Sequence, residues 1–180
     1  NTAPIVLCKL KEETGTGICT SIIAPGLDKI GVMLPYTPLL FLIMEQWNKP
    51  LIATSGNLSG SPIIYTDEDA LLWLTDYADF ILSFERDIVT PQDDSVIQFS
   101  EGSQQSIILR RSRGLAPNYF PSPLKKSSTL LAMGAELKSA FAISDNDNLY
   151  ISQYLGDQGN FDSQTSYGYT LDHLLQLLQT

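Results

Sequence analysis

Apolar and polar residues alternate between two rhythms along this chain. Residues 5–10 (Ile5-Val6-Leu7-Cys8-Lys9-Leu10) form a short apolar run that predicts a strand, and residues 30–34 predict a second. Thr14-Gly15-Thr16-Gly17 between them reads as a loop. At Thr37-Pro38 the rhythm changes. Thr37 can cap a helix, and Pro38 suits its first turn, where no N–H is needed. Residues 39–44 are apolar on every side, which predicts a helix buried on most faces.

Residues 51–53 read as a short strand running into a glycine-rich loop. Thr66-Asp67-Glu68-Asp69 marks a second helix start, with acids that suit the helix dipole, and Leu71, Leu74, Tyr77 and Ala78 follow at helical spacing. Residues 79–82 form a further apolar run with strand character. Residues 96–99 and 107–109 flank a polar turn containing Gly102, which predicts a hairpin. Pro117, Pro121 and Pro123, followed by Lys125-Lys126-Ser127-Ser128, mark a linker over 117–128. Beyond it, residues 130–134, 140–143 and 149–151 predict three strands, the last two joined by a turn at Asp145-Asn146-Asp147-Asn148. Tyr167, Leu171, Leu174, Leu175 and Leu178 lie on one stripe of a final helix. That helix reaches the last residue with little room to cover a sheet, so the reading is of a chain that stops inside a domain.

Composition narrows the classes. The chain has 180 residues, 43% of them hydrophobic, enough to bury a core. No apolar run approaches the roughly 20 residues of a membrane-spanning helix, and the opening residues do not resemble a signal peptide. Cys8 and Cys19 show neither zinc spacing nor a disulfide framework, so reduced thiols in a cytoplasmic protein are expected, with Cys8 in the core. The net charge of -9 argues against a general nucleic-acid binder, which needs basic surface to neutralise phosphates.

Three stretches carry candidate chemistry. Thr54-Ser55-Gly56-Asn57-Leu58-Ser59-Gly60 combines glycines, hydroxyls and an amide, which suits a nest for phosphate oxygens; the plainer reading is a strand-to-helix turn. Arg110-Arg111-Ser112-Arg113-Gly114 places three of the eleven basic residues within four positions of an acidic chain. Guanidinium groups bind phosphate bidentately. Strand alternation favours Arg110 or Arg113 as the ligand contact, with Arg111 structural. Asp93-Asp94-Ser95 can hold Mg²⁺ beside a nucleotide or simply form an acidic turn; Ser95 is the better ligand candidate of the three. Trp47, Trp73 and His173 read as packing or surface residues. Glu136 and Lys138 fit either a hairpin turn or a cleft.

These stretches together resemble a known family. Ala24-Pro25-Gly26-Leu27-Asp28, Gly31-Val32-Met33-Leu34-Pro35-Tyr36-Thr37-Pro38-Leu39, the 54–60 loop, Asp93-Asp94-Ser95-Val96 and Leu109-Arg110-Arg111-Ser112-Arg113-Gly114 resemble the HypF hydrogenase-maturation carbamoyltransferases, in the same order. Gly134-Ala135-Glu136-Leu137-Lys138 and Ser152-Gln153-Tyr154-Leu155-Gly156-Asp157 resemble the opening of that family's transferase domain. Two positions depart from its pattern: Thr90-Pro91-Gln92 stands where an arginine or similar polar residue is usual, and Tyr154 where a histidine is usual.

The resemblance implies an α/β (α+β) fold: a YrdC-like twisted mixed sheet over 1–116, the linker, and over 129–180 the first β-meander and helix of an actin-like transferase domain. It implies that the parent protein uses ATP, Mg and carbamoyl phosphate, makes carbamoyl-adenylate, and passes the carbamoyl group to the C-terminal cysteine of HypE for the cyanide ligands of NiFe hydrogenase. Zinc would belong to parts of the parent outside this chain, and this piece alone would not turn over. Thr54, Ser55, Gly56, Asn57, Ser59, Ser95, Arg110 and Arg113 are the expected nucleotide-binding positions. A threonylcarbamoyl-adenylate synthase, or an RNA-binding YrdC-like module, is the alternative.

Overall fold

The computed structural model of the chain describes residues 2–11, 17–58, 60–83, 85–124 and 128–180. The expected loop at 14–16, Ser59 and the basic part of the linker at 125–127 lie outside them. The chain forms two compact units, one from Asn1–Leu51 with Asp94–Leu115, the other from Ile52–Asp93 with Ala116–Thr180.

The first unit is built on a four-stranded mixed sheet. Its strands are β1 (Ile5–Lys9), β2 (Lys29–Val32), β3 (Val96–Phe99) and β4 (Ser106–Arg110), in the order β2-β1-β3-β4. β1 runs antiparallel to β2, with Val6 opposite Val32, and parallel to β3, with Ile5 opposite Val96. β3 and β4 form the predicted antiparallel hairpin, with a register shift between Val96 and Ile97. A bulge there twists the strand just where the candidate residues begin. A short helix, α1 (Thr20–Ile23), lies between β1 and β2.

Helix α2 (Pro38–Trp47) begins as predicted, with the Thr37 hydroxyl accepting the Leu40 N–H at 3.1 Å. Its expected burial is not found. Leu40 and Met44, four residues apart, are half-buried on one face, while Leu39, Phe41, Leu42 and Trp47 are exposed. An all-round apolar helix needs cover on several sides, and the described residues supply it on one. Cys8 is likewise exposed rather than in the core.

In the second unit, α3 (Asp67–Trp73) is capped by Thr66, whose hydroxyl accepts the Asp69 N–H at 3.1 Å. The helix stops at Leu74, short of the apolar pattern that continues to Ala78. Residues 51–53 and 79–82 are not strands, and Phe80 is 94% exposed. Their apolar side chains favour extended backbone, but a strand also needs a partner for its N–H and C=O groups.

The second sheet has the order β5-β8-β7-β6, from β5 (Tyr119–Pro121), β6 (Leu130–Ala132), β7 (Ala142–Asp145) and β8 (Asn148–Ile151). β6, β7 and β8 are the predicted meander. β5 falls inside the proline-rich stretch read as linker. It pairs with β8 at the sheet edge, where a proline's missing N–H costs no ladder bond. β7 and β8 are joined through Asn146 and Asp147, both at positive φ, as a two-residue primed turn requires. Helix α4 (Phe161–Leu178) starts at Asn160, whose side chain accepts the Ser163 N–H at 2.8 Å. The predicted stripe of Tyr167, Leu171, Leu174, Leu175 and Leu178 packs into the core with Phe141 and Ile143, where the sequence reading leaves the helix little room to cover a sheet. Phe141 and Tyr167 meet edge to face with centroids 5.4 Å apart.

The turn containing Glu136 and Lys138 is strapped to the segment after β8. Gln158 donates its N–H to the Glu136 carbonyl, and Lys138 donates its N–H to the Asp157 carboxylate at 2.6 Å. Gly134, at φ +78°, opens this turn, and a Cβ there would strike the carbonyl of Ala140.

Candidate functional site

The first unit gathers Asp94, Ser95, Arg110 and Arg113 at one edge of its sheet. Asp94 and Ser95 immediately precede β3; Arg110 ends β4, and Arg113 follows in the next loop. The neighbours of the β3–β4 hairpin therefore come together although 16 to 19 residues separate them in sequence. Asp94 and Arg113 also form an isolated parallel bridge.

Ser95 is fully buried. Its hydroxyl donates to the Arg113 carbonyl at 2.9 Å and accepts the Ser112 N–H at 2.9 Å. Its own carbonyl accepts the Ile5 N–H. Direct phosphate contact was the expectation for Ser95; the structure encloses this hydroxyl beneath the arginine loop, where its bonds tie strand to loop.

Arg113 is held at several points. Its Nε donates to the Asp94 carboxylate at 2.7 Å, and its Nη2 donates to the Ala3 carbonyl at 3.0 Å. Its guanidinium lies 3.6 Å over the Tyr36 ring. A planar cation stacks well on such a face. The Asp94–Arg113 pair is about three-quarters enclosed, with side chains 27% and 24% exposed, so water screens it less than a surface pair. Gly114, at φ +82°, lets the loop turn against Thr2: a Cβ there would lie 2.6 Å from the Thr2 carbonyl oxygen.

Arg110 is half-buried, and its Nε donates to the main-chain carbonyl of Asp94 at 2.8 Å. Arg111 is also half-buried, and burial pushes its guanidinium below the usual arginine range.

Thr54, Ser55, Gly56 and Asn57 lie in the second unit. Thr54 and Ser55 are exposed. The Ser55 hydroxyl donates to Asn57 Oδ1 at 2.6 Å, and Asn57 Nδ2 donates to the carbonyls of Leu58 and Ser61, each at 3.0 Å. Ile64 closes the loop by donating its N–H to the Gly56 carbonyl at 2.8 Å. The side-chain donors of Ser55 and Asn57 are thus spent on the loop itself. A phosphate must draw the Ser55 hydroxyl hydrogen away from Asn57 to bind it.

The Asp94 carboxylate is engaged by Arg113, and the described residues contain no group of three or more His, Cys, Asp or Glu placed to hold a metal. Sequence reasoning missed two partners here, Asp94 as the counter-ion of Arg113 and Tyr36 as its stacking platform. Both stood inside singled-out motifs, but nothing local in the sequence joins them. Among the described residues, no helix is long and apolar enough to cross a membrane.

Residues 2–112 match the Sua5/YciO/YrdC family model, described as telomere recombination, and residues 125–180 match the HypF Kae1-like domain model. The carbamoyltransferase HypF of Synechocystis sp. is 42% identical over 175 residues, covering 97% of this chain and 22% of that protein. A crystal structure of full-length HypF in the phosphate- and nucleotide-bound form aligns with a TM-score of 0.88 at 37% identity, over 99% of this chain and 28% of that one. The crystal structure of T. kodakarensis HypF aligns with a TM-score of 0.86 at 34% identity, over 97% of this chain and 22% of that one. The chain therefore spans about a fifth of the length of the curated relatives it matches.

Proposed function

The chain belongs to the HypF family, joining a Sua5/YrdC-type region to a HypF Kae1-like region, and from that premise we propose that its parent is a carbamoyltransferase whose first region here grips ATP. In this reading carbamate, released from carbamoyl phosphate elsewhere in the parent, attacks the α-phosphorus of ATP through an oxygen. The bond from that phosphorus to the bridging oxygen breaks, pyrophosphate leaves, and carbamoyl-adenylate remains. The carbamoyl group then passes to the C-terminal cysteine of HypE.

The observation that supports this reading is the tie between the Asp94–Ser95 strand entry and the Arg110–Arg113 loop. Adenylation builds negative charge on the departing pyrophosphate, and a cation held in place before reaction stabilises it without reorganising. Arg110 is the residue assigned that contact. Arg113 supports it. Ser55 and Asn57 belong, in the second unit, to the loop motif that resembles the family's nucleotide-binding loop. Thr54, Gly56 and Ser59 belong to that same loop. We read ATP as a substrate that brings its own magnesium.

The test is carbamoyl-phosphate-dependent exchange of labelled pyrophosphate into ATP by the parent protein. Arg110→Ala should lower kcat/KM by about 100-fold, in the range of losing one transition-state donor. Exchange at the wild-type rate by this variant would remove Arg110 from the reading. Exchange that requires threonine would turn it towards a threonylcarbamoyl-adenylate synthase.

A further inference from the structure

We infer that Asn160, the cap of α4, is a positioning residue for the 54–60 loop, holding the far arm of that loop from the other matched region of the chain. The inference rests on the reading that this loop contacts the nucleotide. Asn160 Nδ2 donates to the Gly60 carbonyl at 2.9 Å, across 100 positions of sequence. Both residues lie in the second unit. Gly60 falls in the stretch that matches the Sua5/YciO/YrdC model, and Asn160 in the stretch that matches the HypF Kae1-like model.

Two asparagine amides hold adjacent carbonyls of the loop. Asn57 Nδ2 reaches the Ser61 carbonyl from within, and Asn160 Nδ2 reaches the Gly60 carbonyl from outside. Asn57 in turn accepts the Ser55 hydroxyl, so the bonds lead from the candidate phosphate donor to the arm that Asn160 grips. Among the described residues, every other hydrogen bond of 54–64 stays inside that stretch. The Asn160 bond is therefore the directional restraint that orients the loop against α4. Asn160 supplies it at small entropic cost. Its Oδ1 already accepts the N–H of the buried Ser163 at 2.8 Å, so the helix fixes the side chain before it meets the loop. The same acceptor sets which end of the amide faces Gly60, since only Nδ2 can donate. The bond is exposed, so water competes for it, and its loss shifts the loop severalfold rather than by orders of magnitude.

The experiment uses the parent protein. Pyrophosphate exchange gives kcat and KM for ATP, and hydrogen exchange is read on peptides covering 56–64 and α4. Asn160→Asp keeps an oxygen for the Ser163 N–H and suits the helix N-terminus, but it removes the donor to Gly60. Asn160→Ser also caps, adds no charge and has no amide to donate. Both variants should speed exchange over 56–64 by about fivefold, the effect of one hydrogen bond. KM for ATP should rise by a similar factor, a larger change than any in kcat. Exchange in α4 should match the wild type, because the cap is kept. Wild-type exchange over 56–64 in both variants overturns the positioning role. So does an unmoved KM, and so does a rise in KM confined to Asn160→Asp, which would be the new charge repelling ATP. Equal loss of protection in α4 and in the loop also overturns it, since the cap alone would then explain the change. Wild-type KM for ATP in both Ser55→Ala and Asn57→Ala instead overturns the reading that the loop contacts the nucleotide.

Discussion

The Ser95 hydroxyl sits between two neighbours in the arginine loop, donating to the Arg113 carbonyl and accepting the Ser112 N–H, each at 2.9 Å. Ser95 and Ser112 are both fully buried, so water cannot replace the bond between them. Ser95→Ala removes the partner of the buried Ser112 N–H and of the part-buried Arg113 carbonyl. The expected cost is about 1–3 kcal/mol. Urea denaturation should show it as a lower midpoint with an unchanged slope, and an unchanged midpoint would remove Ser95 from its place as the joint.

Gly134→Ala tests the strapped turn of the second unit. The φ of +78° disfavours any side chain, and the added Cβ meets the Ala140 carbonyl, which is main chain and cannot swing away. The loss should exceed about 1 kcal/mol, the point at which strain outweighs the entropy gained by replacing glycine. Hydrogen exchange read at β7 and β8 should rise with it, whereas a variant as stable as wild type contradicts the turn geometry.

Tyr167 supplies a pH-dependent prediction. Its hydroxyl donates to the Met133 carbonyl at 2.6 Å, and burial raises its pKa above the ordinary phenol value. The folded state therefore favours the neutral phenol more than the unfolded chain does. Its contribution is fully present below about pH 10 and falls as pH climbs through the raised folded value. Tyr167→Phe should cost about 0.5–1 kcal/mol at neutral pH and should flatten that alkaline decline. A decline equally steep in the variant would assign it to other groups.

Cys19 should be the more easily alkylated thiol in its own context than in a variant lacking Ser21. The Ser21 hydroxyl lies 3.2 Å from its sulfur, and this contact, followed by the Ile22 N–H, lowers its pKa. More thiolate means faster attack on iodoacetamide near neutral pH. Mass spectrometry of a Cys8→Ser background should show Cys19 labelling slowed by Ser21→Ala; equal rates would contradict the contact.

Much of the fold was legible because its signals are local. Thr37 and Pro38 announce α2, Thr66 announces α3, and the Tyr167-to-Leu178 stripe gives the buried face of α4. The failures share one cause. Residues 51–53 and 79–82 have the composition of strands, yet strand formation depends on a distant partner. β5 escaped for the converse reason: proline argues against a strand until an edge position makes its missing N–H harmless. The candidate site divides in the same way. Ser95, Arg110 and Arg113 stood out by residue type and local density. The link from Asp94 to Arg113 spans 19 residues, and the stack of Arg113 on Tyr36 spans far more, so it takes the β1–β2, β1–β3 and β3–β4 pairings to bring them together. The exposure of Cys8 and of α2 is a property of what covers them, which their own residues do not encode.

The paired positive φ angles at Asn146 and Asp147 have a consequence for how the meander keeps its faces apart. The turn dictates that Ile143 stands opposite Tyr150 and Ser144 opposite Leu149. One inserted residue there would exchange the two faces along the whole of β8, so that Tyr150 would be turned away from the core it packs against. The specificity of this hairpin is therefore written in two hydrophilic residues that never enter the interior they organise.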